Sequence, residues 1–303
     1  MGTAFSRDTE DARGRRITRL REEAELVAAS LPPLLVEAER VAATVAQGVH
    51  GRRRVGTGET FWQFRRFQDG DSATKVDWRR SARSQHMFVR ETEWEAAQSV
   101  WLWRDGSASM NYGREVAKIH RASVIALALG VLLVQAGERI AALGTPNPPQ
   151  TGRLPLRRLA YLYMQETAED APSLPDQAPL PRNSHTVWFS DFLLDADAIS
   201  KRMRALASAG VKGHLLQILD PAEADYPFTG RVRFESVEDN ANLLVGRAEL
   251  LKMDYMRRLA AHQDRLGAEA RRLGWTFSVH RTDHTPQTAL LALHAAVSSW
   301  RAA

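Results

Sequence analysis

From Ser99 to the C-terminus, short apolar runs alternate with longer amphipathic ones, and this alternation narrows the possible folds more than any other feature of the chain. SVWLWRD, RIAALG, HTVWFSD, HLLQILD and WTFSVHRT each have the length and the β-branched or aromatic content of a strand. Between them lie helix-like stretches: Val116 to Gln135, LPLRRLAYLYMQE, ADAISKRMRALASAG with Gly210 as its stop, about Arg247 to Leu273, and TPQTALLALHAAVSSW. RVRFESV and NANLLVG fit a hairpin or edge pieces. Strands that alternate with helices predict an α/β domain built on a doubly wound, mostly parallel sheet. Neither GxGxxG nor GxxxxGK[ST] occurs, so the dinucleotide-binding and P-loop versions of such a sheet are not supported.

The remainder of the chain divides by texture into residues 1–50, 51–98 and 99–303. Residues 1–50 read as a helical arm, interrupted at Pro32 and Pro33. Residues 51–98 are rich in arginine and aromatics and read as a β elaboration. Eight of the 13 prolines fall between Thr145 and Pro181, which marks exposed connections. The run from Ala122 to Ala136 is shorter than the roughly 20 apolar residues of a spanning helix, and reads as a buried helix against the sheet. The charged N-terminus lacks an apolar signal core, so the expected location is cytoplasmic. With no cysteine, thiolate metal sites and cysteine nucleophiles are excluded.

The chemistry concentrates where strands end. Asp105-Gly-Ser107-Ala-Ser109 follows the first buried strand, and Ser190-Asp191 ends a later one. In open α/β sheets ligands sit at the carboxyl ends of strands. One carboxylate and two hydroxyls on a tight loop, with a second carboxylate from a neighbouring strand, are hard oxygen donors of the kind that suit Mg2+. The same residues also suit helix capping. Asp220, Glu223 and Asp225 lie among turn residues and read as an exposed loop. The nine histidines are scattered, and no GxSxG or HExxH is present.

Between His50 and Arg90 there are ten Lys or Arg against four Asp or Glu, with Phe61, Trp62, Phe64, Phe67 and Trp78 interleaved. Three readings fit: a structural ion network joining Asp69, Asp71 and Asp77 to Arg65, Arg66, Arg79, Arg80 and Arg83; a protein-partner surface; or a nucleic-acid surface.

The D-x-S-x-S loop with Asp191 resembles the metal-ion-dependent adhesion site of von Willebrand factor A domains. The upstream segment is similar to the signature of the bacterial family called domain of unknown function 58. Arg65 or Arg66, Gly70, Asp71, Asp77, Trp78, Ser81, Ala82, Arg83, Val89, Arg90, Glu91, Glu93, Glu95 and Met110 fall in register with it. The resemblance implies a von Willebrand factor A-type sheet and a magnesium site formed by Asp105, Ser107, Ser109 and Asp191. Thr145 or Thr151 would supply the second loop's hydroxyl. It also implies a signature or partner surface that includes Arg65, Arg66, Asp71, Asp77, Trp78, Arg83 and Arg90. The implied role is a non-enzymatic adaptor acting with a MoxR-type AAA+ ATPase and client proteins in assembly or maturation of complexes. The alternative is a metal-dependent hydrolase or phosphotransferase centred on Asp105, and a less favoured one is nucleic-acid binding. Arg104, beside Asp105, is the departure expected to weaken or abolish metal binding.

Overall fold

Five apolar segments, too short for helices and flanked by Gly, Pro or Asp, pair into one sheet. The structure, a computed structural model, describes residues 32–50, 61–68, 71–92, 97–165, 171–176, 179–235 and 242–299. The sheet comprises β3 (Ser99–Arg104), β4 (Arg139–Ala142), β5 (His185–Ser190), β6 (Lys212–Leu219) and β9 (Thr276–Arg281), in the order β4-β3-β5-β6-β9. All four pairings are parallel. The strand order reverses around β3: the chain leaves it for β4 on one side and returns to β5 on the other. The crevice of such a sheet opens at that reversal.

Helices cover both faces. Around α3 (Lys118–Gln135) and α4 (Arg153–Gln165), Leu102, Ile140, Leu156 and the backbone at Gly130 meet so closely that a Cβ there would lie 3.1 Å from Leu156. The opposite face packs on α5 (Ala196–Ser208) and α7 (Lys252–Arg272) through Trp101, Trp103, Trp188, Trp275, Ile199, Met203 and Leu266. Trp188 meets Trp103 and Trp275 edge-on, with ring centroids 6.2 and 5.3 Å apart. Because both faces are covered, β5 is buried at every position, its polar His185, Thr186 and Ser190 included. The last helix, α8 (Pro286–Ser299), buries Leu290, Leu293 and Val297.

α3 is long and apolar enough to cross a membrane, yet most of it is buried inside the protein. The helix α1 (Pro33–His50) buries Leu35, Ala38, Val41, Ala42 and Val45, a spacing that puts all five on one face.

The described residues up to 46 together with those from 98 onward form one compact unit, and the described residues of 47–97 a second. Within the second, β1 (Phe61–Arg66) pairs antiparallel with β2 (Phe88–Thr92), and the one-turn helix α2 (Trp78–Ser81) lies between them in sequence. Arg65 clasps Asp71 with two hydrogen bonds of 2.9 and 2.8 Å. Arg80 stacks over Phe64 and Phe88 at 4.3 and 5.2 Å. Of the expected ion network, the Arg65–Asp71 pair is formed. The Asp77 carboxylate caps α2 by accepting the Arg80 N–H at 2.9 Å, and the Arg83, Arg79 and Arg66 side chains are exposed, as is Trp78. Asp at the N-cap satisfies a donor that no helical carbonyl can reach. Asp69 and the side chains of Phe61, Trp62 and Arg90 lie outside the described residues.

Candidate functional site

The two carboxylates come from adjacent strands at the reversal. Asp105 follows β3 and its N–H continues the ladder, donating to Phe189 O at 2.8 Å. Asp191 follows β5. A chain of hydrogen bonds joins them to the hydroxyls. Asp105 Oδ1 accepts the Ser107 N–H at 2.8 Å, and its Oδ2 accepts the Ser190 hydroxyl at 2.6 Å. Ser107 Oγ lies 3.2 Å from Ser109 Oγ, and Ser109 donates to Asp191 Oδ2 at 2.8 Å. Asp105 and Ser107 are buried, while Ser109 is half-buried. Burial pushes the Asp105 carboxyl up to about 6, against the opposing pull of the Ser190 and Ser107 hydrogen bonds.

The turn that carries Asp191 is over-determined. Phe192 takes a left-handed backbone with φ 50°. That conformation is strained for a bulky residue and persists only where its surroundings enforce it. Here the Phe192 N–H donates to Ser190 Oγ at 2.9 Å, and its carbonyl lies 2.7 Å from His262 Nε2. Gln217 donates to Asp191 O at 2.7 Å and is itself held by Gln263 at 2.8 Å. Three elements, β5, β6 and α7, thus fix the carboxylate.

Lys118, which the sequence patterns did not single out, and Glu223, expected in an exposed loop, complete the cluster. Lys118, the first residue of α3, is wholly buried, and its ammonium lies 2.8 Å from Asp191 Oδ2 and 2.5 Å from Glu223 Oε1. Burial alone would depress its pKa, but attraction to Asp191 and Glu223 outweighs that and holds it above the usual lysine value. Glu223 belongs to α6 (Pro221–Asp225), whose capping box has Asp220 accepting the Ala222 N–H and Glu223 accepting the Asp220 N–H at 2.9 Å. The exposed loop expected around Asp220 and Glu223 is therefore a short capped helix, with Asp220 buried. The spacing D-P-A-E announces it: an N-cap acid, Pro at N1 and Glu at N3. The signal for Lys118 is a lysine at the head of a helix that is largely apolar from Ala122 onward.

Thr145 and Thr151 do not join this chain. The Thr145 hydroxyl donates to Ala142 O at 3.0 Å and lines a separate cavity of about 330 Å³ beside Ile140, Pro155 and Leu159, and Thr151 is exposed. Ser190, adjacent to Asp191, supplies a hydroxyl to Asp105. Arg104 points to the opposite face, where its guanidinium lies 3.3 Å from Tyr163 O and 4.9 Å over the Tyr163 ring. Strand alternation puts it there, so the cation facing the acids is Lys118 rather than Arg104.

A cavity of about 790 Å³ opens on the cluster. Asp105, Ser109, Asp191 and Glu223 line one end, and Leu193, Tyr226, Phe228, Phe234 and Tyr255 line the other. The hairpin of β7 (Val232–Glu235) and β8 (Asn242–Val245) contributes Phe234, which stacks on Tyr226 at 5.9 Å.

The donors are of the right class for magnesium, but their lone pairs and charge are already engaged. Asp191 Oδ2 accepts both Ser109 and the Lys118 ammonium, and its Oδ1 accepts the Leu193 N–H at 3.1 Å. A divalent ion bound at Asp191 would sit beside a buried ammonium. Among the described residues no group of three or more His, Asp or Glu is arranged to hold a metal. The arrangement does not fit resident magnesium.

The family described as "Protein of unknown function DUF58" matches residues 63–265. The chain is 27% identical over 275 residues, 85% of either chain, to Uncharacterized protein Rv1480 of Mycobacterium tuberculosis, and equally to Uncharacterized protein Mb1516 of Mycobacterium bovis. Two solved structures align with it. One is the conserved hypothetical protein BatB from Bacteroides thetaiotaomicron, with TM-score 0.39, 11% identity, 68% of this chain and 100% of that one. The other is an aerotolerance-related membrane protein from Bacteroides fragilis, with TM-score 0.38, 15% identity, 67% of this chain and 100% of that one.

Proposed function

The chain belongs to the DUF58 family, and from that premise we propose that it is a cytoplasmic, non-enzymatic adaptor of von Willebrand factor A type whose carboxyl-end rim receives a segment of a partner protein. The partner class implied by the family resemblance is a MoxR-type AAA+ ATPase, with client proteins brought to it for assembly or maturation. The observation that carries the reading is the cavity at the strand-order reversal. It is polar at the Asp105–Asp191 end and aromatic at the other, the composition of a pocket that seats an anchoring side chain. The hydrogen-bonded rim gives the contact direction, while Leu193, Phe228 and Phe234 give it apolar area.

The test is a binding titration between the purified chain and a MoxR-type AAA+ ATPase. Leu193→Asp and Phe234→Asp should weaken binding by about tenfold or more while the melting temperature stays near that of wild type. Unchanged affinity in both variants would remove the cavity from the contact.

A second reading has one observation in its favour. Asp105 is held near 6 in a cleft, as a general acid or base would be. It assigns hydrolysis or phosphoryl transfer to Asp105. Turnover of generic ester and phosphate substrates that disappears in Asp105→Asn would favour it over the adaptor.

A further inference from the structure

Lys118 occupies a position that helix electrostatics disfavours. It is the first residue of α3, where the unpaired N–H groups and the aligned peptide dipoles already present positive charge. It is also wholly buried. A lysine persists in such a place only with strong compensation, and the structure supplies a socket built for it. Asp191 and Glu223 each reach the ammonium with one oxygen while the other oxygen is held by a backbone donor, Leu193 N–H for Asp191 and Asp220 N–H for Glu223. The two carboxylates come from different parts of the sheet rim, one after β5 and one from α6. The Lys118 N–H donates to Tyr112 O at 3.0 Å, which ties the helix start to the loop after Ser109.

We propose that Lys118 is the resident cation of this rim. Its ammonium, delivered from inside the fold, holds Asp191 and Glu223 together in the charge-balancing place that a divalent ion would take, and the folded chain neither needs nor binds magnesium there. The inference concerns the rim of the adaptor reading but does not depend on it, because its readout is metal binding and not partner binding. It also sets the chemistry of the contact. A fully buried ammonium whose charge two carboxylates already balance has no exchangeable coordination position to offer, so a partner carboxylate gains no metal-like contact from it. Docking at this rim proceeds through the Ser109 hydroxyl and the aromatic groove, and it is insensitive to chelator.

Magnesium and manganese are titrated calorimetrically into the full-length wild-type chain, with melting curves recorded in chelator and in millimolar magnesium. Wild type should show no saturable heat, and its melting temperature should be the same in both solutions. Stoichiometric magnesium binding by wild type, or melting that falls in chelator, would overturn the proposal. Lys118→Met should acquire metal binding, with a melting temperature that rises by several degrees when magnesium is added. In case the single variant does not fold, Lys118→Met combined with Glu223→Gln removes one uncompensated charge and keeps Asp105, Ser107, Ser109 and Asp191. A folded variant, single or double, that still ignores both metals would show that the ammonium is not standing in a cation's place, and would equally overturn it.

Discussion

Lys118 is the residue on which the rim turns, and its removal should be costly in a way that surface charges are not. Truncating one partner of a buried ion pair strands the other, and costs about 3–5 kcal/mol. Lys118→Met should therefore lower the unfolding free energy by about that amount, read by urea denaturation at neutral pH. Arginine-rich segments invite the same expectation for Arg83 and Asp77, but geometry separates them. Arg83 is exposed, and its replacement by alanine should change stability by less than about 0.5 kcal/mol. Asp77→Ala removes the cap that receives the Arg80 N–H and should cost about 1 kcal/mol. If Arg83→Ala proved the costlier of the two, the cap would not be what Asp77 contributes.

Among the elements, β6 shows how closely sheet and helix layers interlock. Gly213 lies in this strand beneath the Trp275 ring, and a Cβ added there would fall 2.3 Å from Trp275 Cε3. Trp275 has little room to yield. It is 2% exposed, packs edge-on against Trp188 and donates its indole N–H to Val211 O at 2.9 Å. Overpacking of this kind costs about 1–3 kcal/mol. Gly213→Ala should lower the urea midpoint accordingly and weaken the near-ultraviolet circular dichroism of the tryptophan cluster. An unchanged tryptophan signal would mean that the ring can move aside. The element that carries Asp191 is equally constrained, since the left-handed Phe192 is tolerated only because Ser190 and His262 bind its N–H and carbonyl.

Across the whole molecule, three buried histidines set the response to acid. His185, His214 and His280 are each pushed from 6.5 down to about 4, chiefly by burial, and so stay neutral in the folded chain. His214 sits between the Thr276 and Ser278 hydroxyls at 2.6 and 2.8 Å. The unfolded chain takes up protons below pH 6.5 while the folded one does not until about 4, so stability is full above that window and falls as pH drops through it. Each such histidine contributes to that loss in the same direction. Unfolding free energy measured from pH 7.5 down to 4 should fall steeply, and His214→Gln should reduce the slope. A flat profile in wild type would mean that these imidazoles protonate without unfolding.

The sequence by itself determined the order of strands and helices in the α/β unit and the placement of Asp105 and Asp191 after two buried strands. Those depend on local rules: hydrophobic periodicity, turn residues, and the apolar runs required of strands covered on both faces. It also carried the family signature between Arg65 and Met110. What the rim holds was decided only in three dimensions. Asp191 and Glu223 lie 73 and 105 positions from Lys118, and no spacing rule relates residues that meet only because the start of α3, the end of β5 and the short helix α6 converge at one crevice. The side of the sheet that Arg104 takes follows from the local pleat, but its partner there, Tyr163, is set by the tertiary structure. A charge's partner is set by which backbones converge around it, and a local pattern does not encode that convergence.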